Sequence, residues 1–200
     1  MNNIVLTGVG GEGVLTAQTI IARAANMDGY VARGLQLHGL AQRGGSAPTF
    51  VRYGLKGEAF GPEVMQADAD LVLAFEPLEA VRVLYYARKE KTAFIINDKQ
   101  IVPIYSNLMK LPYPSMAQVQ KAVRPFAKSI RVFSAHKVAE QELGQAILGN
   151  TVLIGAAAGA GELKLRKESL LRAVERSAAR EVEANLKAFE LGWKLGRKGR

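Results

Sequence analysis

The chain has 200 residues, 48% of them hydrophobic and 22% charged, which fits one globular domain with a sizeable core. It contains no cysteine and only two histidines, His38 and His136, so disulfides, thiolate nucleophiles and Cys-held zinc or iron–sulfur centres are excluded, and a histidine metal site is disfavoured. The net charge of +9 is concentrated late: residues 1–120 carry eleven Lys/Arg against ten Asp/Glu, and residues 121–200 carry sixteen against eight.

In chain order, "NIVLTGVG" (residues 3–10) reads as a short buried strand ending in glycines. From Val14 to Met27 apolar residues recur at helical spacing, and Asp28-Gly29 punctuates the end. "YVARG" is a predicted second strand, residues 35–46 a loop rich in Gly, Gln and Arg, and "APTFVRYG" a third strand. A turn at Lys56-Gly57 leads into an expected short antiparallel return.

"ADLVLAF" (residues 69–75) is a buried strand, and Glu76-Pro77 opens a helix predicted to reach Arg88. "TAFIIN" is the next strand, followed by an irregular stretch with three prolines, residues 103–115. A helix is expected over 116–127, a strand at "SIRVFSA", and a helix over 136–148. "NTVLIGAAAGAG" reads as a tightly packed helix and turn. Residues 167–174 and 181–195 read as helices, the last with a stripe of Val182, Leu186, Phe189 and Trp193.

The alternation predicts an α/β fold: a three-layer, Rossmann-like, mostly parallel sheet. The domain is expected to span residues 1–200, with residues 160–200 as a helical C-terminal extension. No apolar run approaches the roughly 20 residues that span a bilayer, and the opening residues lack the pattern of a secretory leader. The expectation is a cytoplasmic protein that binds no membrane.

Gly8-x-Gly10-x-x-Gly13, with Gly11 between, follows a strand and opens a helix, the context in which glycines let backbone approach a phosphate. Glu12 places a negative charge beside that position. Where a dinucleotide site wants an acid for the ribose, the chain has Arg33-Gly34, better suited to a phosphorylated ribose as in NADP or coenzyme A. The alternative is a tight strand–helix connection that binds nothing.

"HGLAQRGGSA" (residues 38–47) supplies His38, Gln42, the fixed cation Arg43, and Gly44, Gly45 and Ser46. A carboxylate, a phosphate or another subunit's backbone can approach such a segment closely. The other reading is a solvated loop with a structural histidine. No nucleophile–base arrangement is assembled by spacing, so catalytic residues are left unassigned. The basic last third reads as a solvated face or a docking surface, with Trp193 as an anchor, and not as a nucleic-acid reader.

"GVGGEGVLTAQTIIARAA" together with "GLQLHGLAQRGGSAPTFVR" resembles the gamma-domain family of the 2-oxoacid:ferredoxin oxidoreductases, and within it the beta-subunit branch of indolepyruvate:ferredoxin oxidoreductase. The likeness continues through "ADADLVLAFEPLEAVR", "FIIND", Tyr113 to Ser115 and "GNTVLIGAAAG", with "NLKAFELG" near the end. The chain departs from the family at Glu12, where glutamine is usual, and at Gln36, where an acid is common.

The resemblance implies one subunit of an enzyme that oxidatively decarboxylates a 2-oxoacid, indolepyruvate or another aryl pyruvate, to acyl-coenzyme A while reducing ferredoxin. It implies thiamine diphosphate, magnesium and iron–sulfur clusters on a large alpha subunit, with coenzyme A as acyl acceptor. No cofactor is assigned to this chain by itself, the glycine loop is open to coenzyme A, another nucleotide or the partner subunit, and dimerisation of the isolated chain is left open. The glycine loop and the 38–46 segment, with Arg33 and Arg43, would meet anionic groups at one sheet edge. Two alternatives stand beside it: an adaptor that kept the fold, and a free-standing NADP-linked dehydrogenase.

Overall fold

Six strands form the sheet because their side chains alternate between two apolar faces. In β1 (Asn2–Thr7), Ile4 and Leu6 join one core cluster while Val5 joins the other. The computed structural model describes residues 1–11, 13–36, 45–46, 48–103, 106, 109–178 and 180–198. The remaining strands are β2 (Val31–Gln36), β3 (Thr49–Gly54), β4 (Leu71–Ala74), β5 (Thr92–Asn97) and β6 (Ala127–Phe133), in the order β2-β3-β1-β4-β5-β6.

On one face lie α1 (Val14–Met27), α4 (Ala135–Leu143), α5 (Gly149–Gly159), α6 (Lys167–Ser177) and α7 (Val182–Lys198). The other face carries α2 (Pro77–Arg82) and α3 (Met116–Val123), packed through Ala80, Val119 and Val123 on Phe50, Val72 and Phe94. The expected three-layer α/β architecture is therefore present.

β1, β4, β5 and β6 run parallel, but β3 lies between β2 and β1 and is antiparallel to both. The sheet is thus mixed, and β1-α1-β2 is not a simple adjacent unit. Strand direction is still shared by β1 and β2, so the segments that follow them emerge at the same edge.

Several boundaries differ from the sequence reading. The helix begun by Pro77 stops at Arg82 and continues as a 3-10 turn over Leu84–Tyr86. The helix from Met116 ends at Val123, because Pro125 enters a 3-10 turn and Ala127 already belongs to β6. The helix expected over 136–148 breaks at Gly144, whose φ of 71° caps α4, and resumes as a 3-10 turn over Ala146–Leu148. The Lys56-Gly57 turn is present, but residues 55–68 are turns and irregular chain with no return strand.

The last forty residues are not peripheral. Leu170, Ala173 and Val174 of α6 and Ala188 and Phe189 of α7 belong to the same buried cluster as Ile4 and Leu6. α5 and α7 pack through glycines on both helices: a Cβ at Gly155 would lie 2.2 Å from the Phe189 carbonyl oxygen, and one at Gly192 only 1.9 Å from that of Val152. Trp193, expected in the apolar stripe of the last helix and as an anchor for a partner, is half-buried against Phe189 at a ring-centroid distance of 6.4 Å, with the Lys167 ammonium over its face.

Candidate functional site

β1 delivers its chain to the carboxyl edge of the parallel strands, where the connections on its two sides diverge and open α/β sheets leave a crevice for ligands. Gly8 follows the strand, and Gly11 and Gly13 adopt φ of 97° and 73°, conformations that side chains resist. Gly13 is the N-cap of α1, with no capping side chain and no acid in the first helical turn. The first-turn N–H groups and the positive end of the helix dipole are therefore available to an anion.

The second predicted segment returns to the same place. Val9 forms an antiparallel bridge with Ser46, and the Gly10 N–H donates to the Gly45 carbonyl at 2.9 Å. The two glycine segments are thus joined by backbone. His38, Gln42, Arg43 and Gly44 lie outside the described residues, as does Glu12. Arg33 is not brought to the glycine loop. It pairs with Arg52 in mid-strand on the edge strand β2, two strands from β1, with its guanidinium 5.4 Å from the Phe60 ring centroid. Since Val51 and Tyr53 face the α1 layer, Arg33 and Arg52 face away from it.

A cleft of about 780 Å³ opens beside Gly11 and Gly13, on the α1 side of the sheet. Thr16, Lys99, His136, Lys137, Asn150 and Thr151 contribute to its walls, and Glu140 and Glu181 add acidic groups. Its volume is in the range of small-molecule sites. A second groove, of about 590 Å³, lies among Leu143, Leu171, Leu186 and Leu191 of the helical layer and involves neither glycine segment.

His136 is held by β5. Asn97 accepts the Ala135 N–H at 3.1 Å, which orients its amide, and its Nδ2 donates to the Phe75 carbonyl at 3.1 Å and meets His136 Nδ1 at 2.8 Å. An amide NH2 only donates, so His136 Nδ1 accepts and the remaining proton sits on Nε2. Burial, then the nearby Lys99 ammonium, pushes the imidazole down to about 4 from 6.5. The ring is a neutral N–H donor. Close approach of α5 to α4 makes this packing possible, since a Cβ at Gly149 would lie 2.7 Å from the His136 ring.

On the other side of the glycine segments lie two carboxylates that spacing did not single out. Glu76 and Glu79 are each only 1% exposed, at the start of α2 immediately beyond β4. Glu76 accepts from the Glu79 N–H at 3.0 Å, the Ile101 N–H at 3.2 Å and the Tyr113 hydroxyl. Burial and the Glu76 carboxylate raise the Tyr113 pKa, so the hydroxyl stays a donor. Glu79 takes Ser46 Oγ and Arg82 Nη1, each at 2.5 Å. Their signal in the sequence is two glutamates three residues apart just after a fully buried strand, where Glu76-Pro77 reads only as a helix start. Among the described residues no group of three or more metal-ligating side chains converges, and no helix is long and apolar enough to cross a membrane.

The comparisons with known proteins agree with this fold. The family described as pyruvate ferredoxin/flavodoxin oxidoreductase matches residues 3–195. Indolepyruvate oxidoreductase subunit IorB of Thermococcus kodakarensis is 36% identical over 197 residues, covering 98% of this chain and 96% of its own. The keto/oxoacid ferredoxin oxidoreductase gamma subunit of Geobacter sulfurreducens shares the fold at a TM-score of 0.69 and 22% identity, over 98% of both chains. The 2-oxoglutarate:ferredoxin oxidoreductase of Magnetococcus marinus, solved with 2-oxoglutarate, coenzyme A and succinyl-CoA bound, aligns at a TM-score of 0.67 and 17% identity. There the match covers 98% of this chain but 31% of that one, so the same fold forms part of a longer polypeptide. With paired glycine segments at the sheet edge and a family match over nearly its whole length, the chain belongs to the pyruvate ferredoxin/flavodoxin oxidoreductase family.

Proposed function

We propose that this chain is the gamma-type subunit of a 2-oxoacid:ferredoxin oxidoreductase, acting in the cytoplasm on indolepyruvate or a related aryl pyruvate. The assembled enzyme converts a 2-oxoacid and coenzyme A to acyl-coenzyme A and carbon dioxide, and the two electrons released reduce ferredoxin. The observation that carries the reading is the near full-length relationship to IorB, at 36% identity. Thiamine diphosphate, magnesium and the iron–sulfur clusters are assigned to a large alpha subunit, in keeping with a chain that has no cysteine and two histidines.

Coenzyme A suits the chemistry of the cleft. The uncapped N-terminus of α1, the Lys99 and Lys137 ammonium groups and the neutral His136 donor suit a ligand bearing phosphates. In this reading the protein binds and orients the acyl acceptor at the carboxyl edge, while bond cleavage and electron transfer belong to the partner. The second glycine segment faces that partner or the entering coenzyme A.

The test is purification of the tagged chain from its native host, followed by identification of what accompanies it. The expected result is a large cysteine-rich partner and reduction of a viologen dye that requires both an aryl pyruvate and coenzyme A. Recovery of the chain alone, under anaerobic and low-salt conditions, would overturn the reading in favour of an adaptor.

A further inference from the structure

Glu79 is a buried carboxylate with one contact inside its own helix and one that leads away from it. One oxygen pairs with Arg82, and the other takes the hydroxyl of Ser46, a residue that is otherwise exposed. Ser46 in turn bridges Val9, and the adjacent Gly45 carbonyl receives the Gly10 N–H. A continuous hydrogen-bonded path therefore runs from α2 to the glycine loop of α1. The Glu76 carboxylate keeps its origin rigid by accepting the Glu79 N–H, the Ile101 N–H and the Tyr113 hydroxyl, which binds α2 to the connection beyond β5.

We infer that Glu79 is a positioning residue, acting through the Ser46 hydroxyl to hold Gly45 and Ser46 in register against Val9 and Gly10 of the glycine loop. A hydroxyl-to-carboxylate hydrogen bond is charge-assisted and directional, so it fixes Ser46 at one height above the sheet edge. The proposal rests on the proposed function only in taking coenzyme A as the ligand that reads this register.

The experiment uses Ser46→Ala, Ser46→Thr and Glu79→Gln, singly and with Ser46→Ala/Glu79→Gln, in the complete enzyme. Amide exchange at Gly10 is measured in parallel on this chain. Ser46→Ala is expected to raise the KM for coenzyme A roughly tenfold, the scale of one hydrogen bond to a charged group, with kcat and the oxoacid KM changed less than about twofold. Ser46→Thr restores the KM, and the double variant is no worse than the poorer single, as expected when two residues act as one unit.

Gly10 amide exchange accelerates with the KM change. Because Ser46 is exposed, its variants fold even where Glu79→Gln does not. Unchanged exchange at Gly10 in Ser46→Ala overturns the positioning role. Faster exchange with an unchanged coenzyme A KM supports that role and overturns the coenzyme A reading instead.

Discussion

Asn97 Nδ2 stands 2.8 Å from His136 Nδ1, and this contact sets which face of the imidazole carries its proton. Replacing Asn97 with Asp puts an acceptor where the donor was. His136 must then protonate at Nδ1 to make the contact, so its pKa is expected to rise from about 4 to above the ordinary 6.5. The Phe75 carbonyl loses its donor in the same change, which costs about 1–3 kcal/mol. An NMR titration of the His136 ring, together with urea unfolding, checks both effects. A ring that still titrates near 4 would remove Asn97 from this account.

The depressed His136 pKa also makes stability depend on pH. Between 6.5 and about 4 the unfolded chain binds a proton at this ring that the folded chain does not. Stability is therefore full above 6.5 and declines as the pH falls towards 4. Solvent reaching this half-buried ring reduces the size of the effect. Thermal midpoints at pH 7 and pH 5 should lie closer together in His136→Gln than in the native chain. An equal separation in the two would contradict the assignment.

Gly192 is predicted to be intolerant of the smallest substitution. In an ordinary helix interior Gly→Ala stabilises by about 1 kcal/mol. Here the added methyl would lie 1.9 Å from the Val152 carbonyl oxygen, a backbone atom that moves only if the helices separate. Gly192→Ala is expected to destabilise by about 3 kcal/mol, at the upper end of overpacking costs. Chemical denaturation measures it, and a stabilised variant would show that α5 and α7 do not approach this closely.

The cleft beside α1 carries a charge prediction. Lys137→Glu reverses one of its walls, and its effect should add to that of any anion held at the first turn of α1. Isothermal titration of the chain is expected to show roughly tenfold weaker binding of coenzyme A and of inorganic pyrophosphate, with a smaller dependence on salt. Lys194→Glu, beside the separate apolar groove, serves as the control. Equal weakening by the two variants would point to net charge in place of a site.

Much of the fold was legible because periodicity is local. Val14, Ala17, Ile21 and Ala24 are buried along α1 as their spacing required, and the run at Leu71 to Ala74 is a fully buried strand. Helix ends at Gly144 and Pro125 were missed, because each break lies inside an otherwise continuous apolar pattern. The two glycine segments read as candidate binding elements from residue type and spacing, and their meeting at Gly10 and Gly45 is found in the structure.

Sequence by itself determined what this chain lacks and where its backbone is bare of side chains: no cysteine, two histidines, and glycines at Gly8, Gly10, Gly11, Gly13, Gly44 and Gly45. These are matters of composition and of steric freedom at single residues. Tertiary structure alone decided that β3 enters between β1 and β2, which carries Arg33 two strands from the glycine loop. It also decided that Asn97 meets His136 across 39 positions and that Glu79 meets Ser46 across 33. Strand order and side-chain contacts over such distances follow from how two apolar faces are covered at once, and no local pattern encodes that choice.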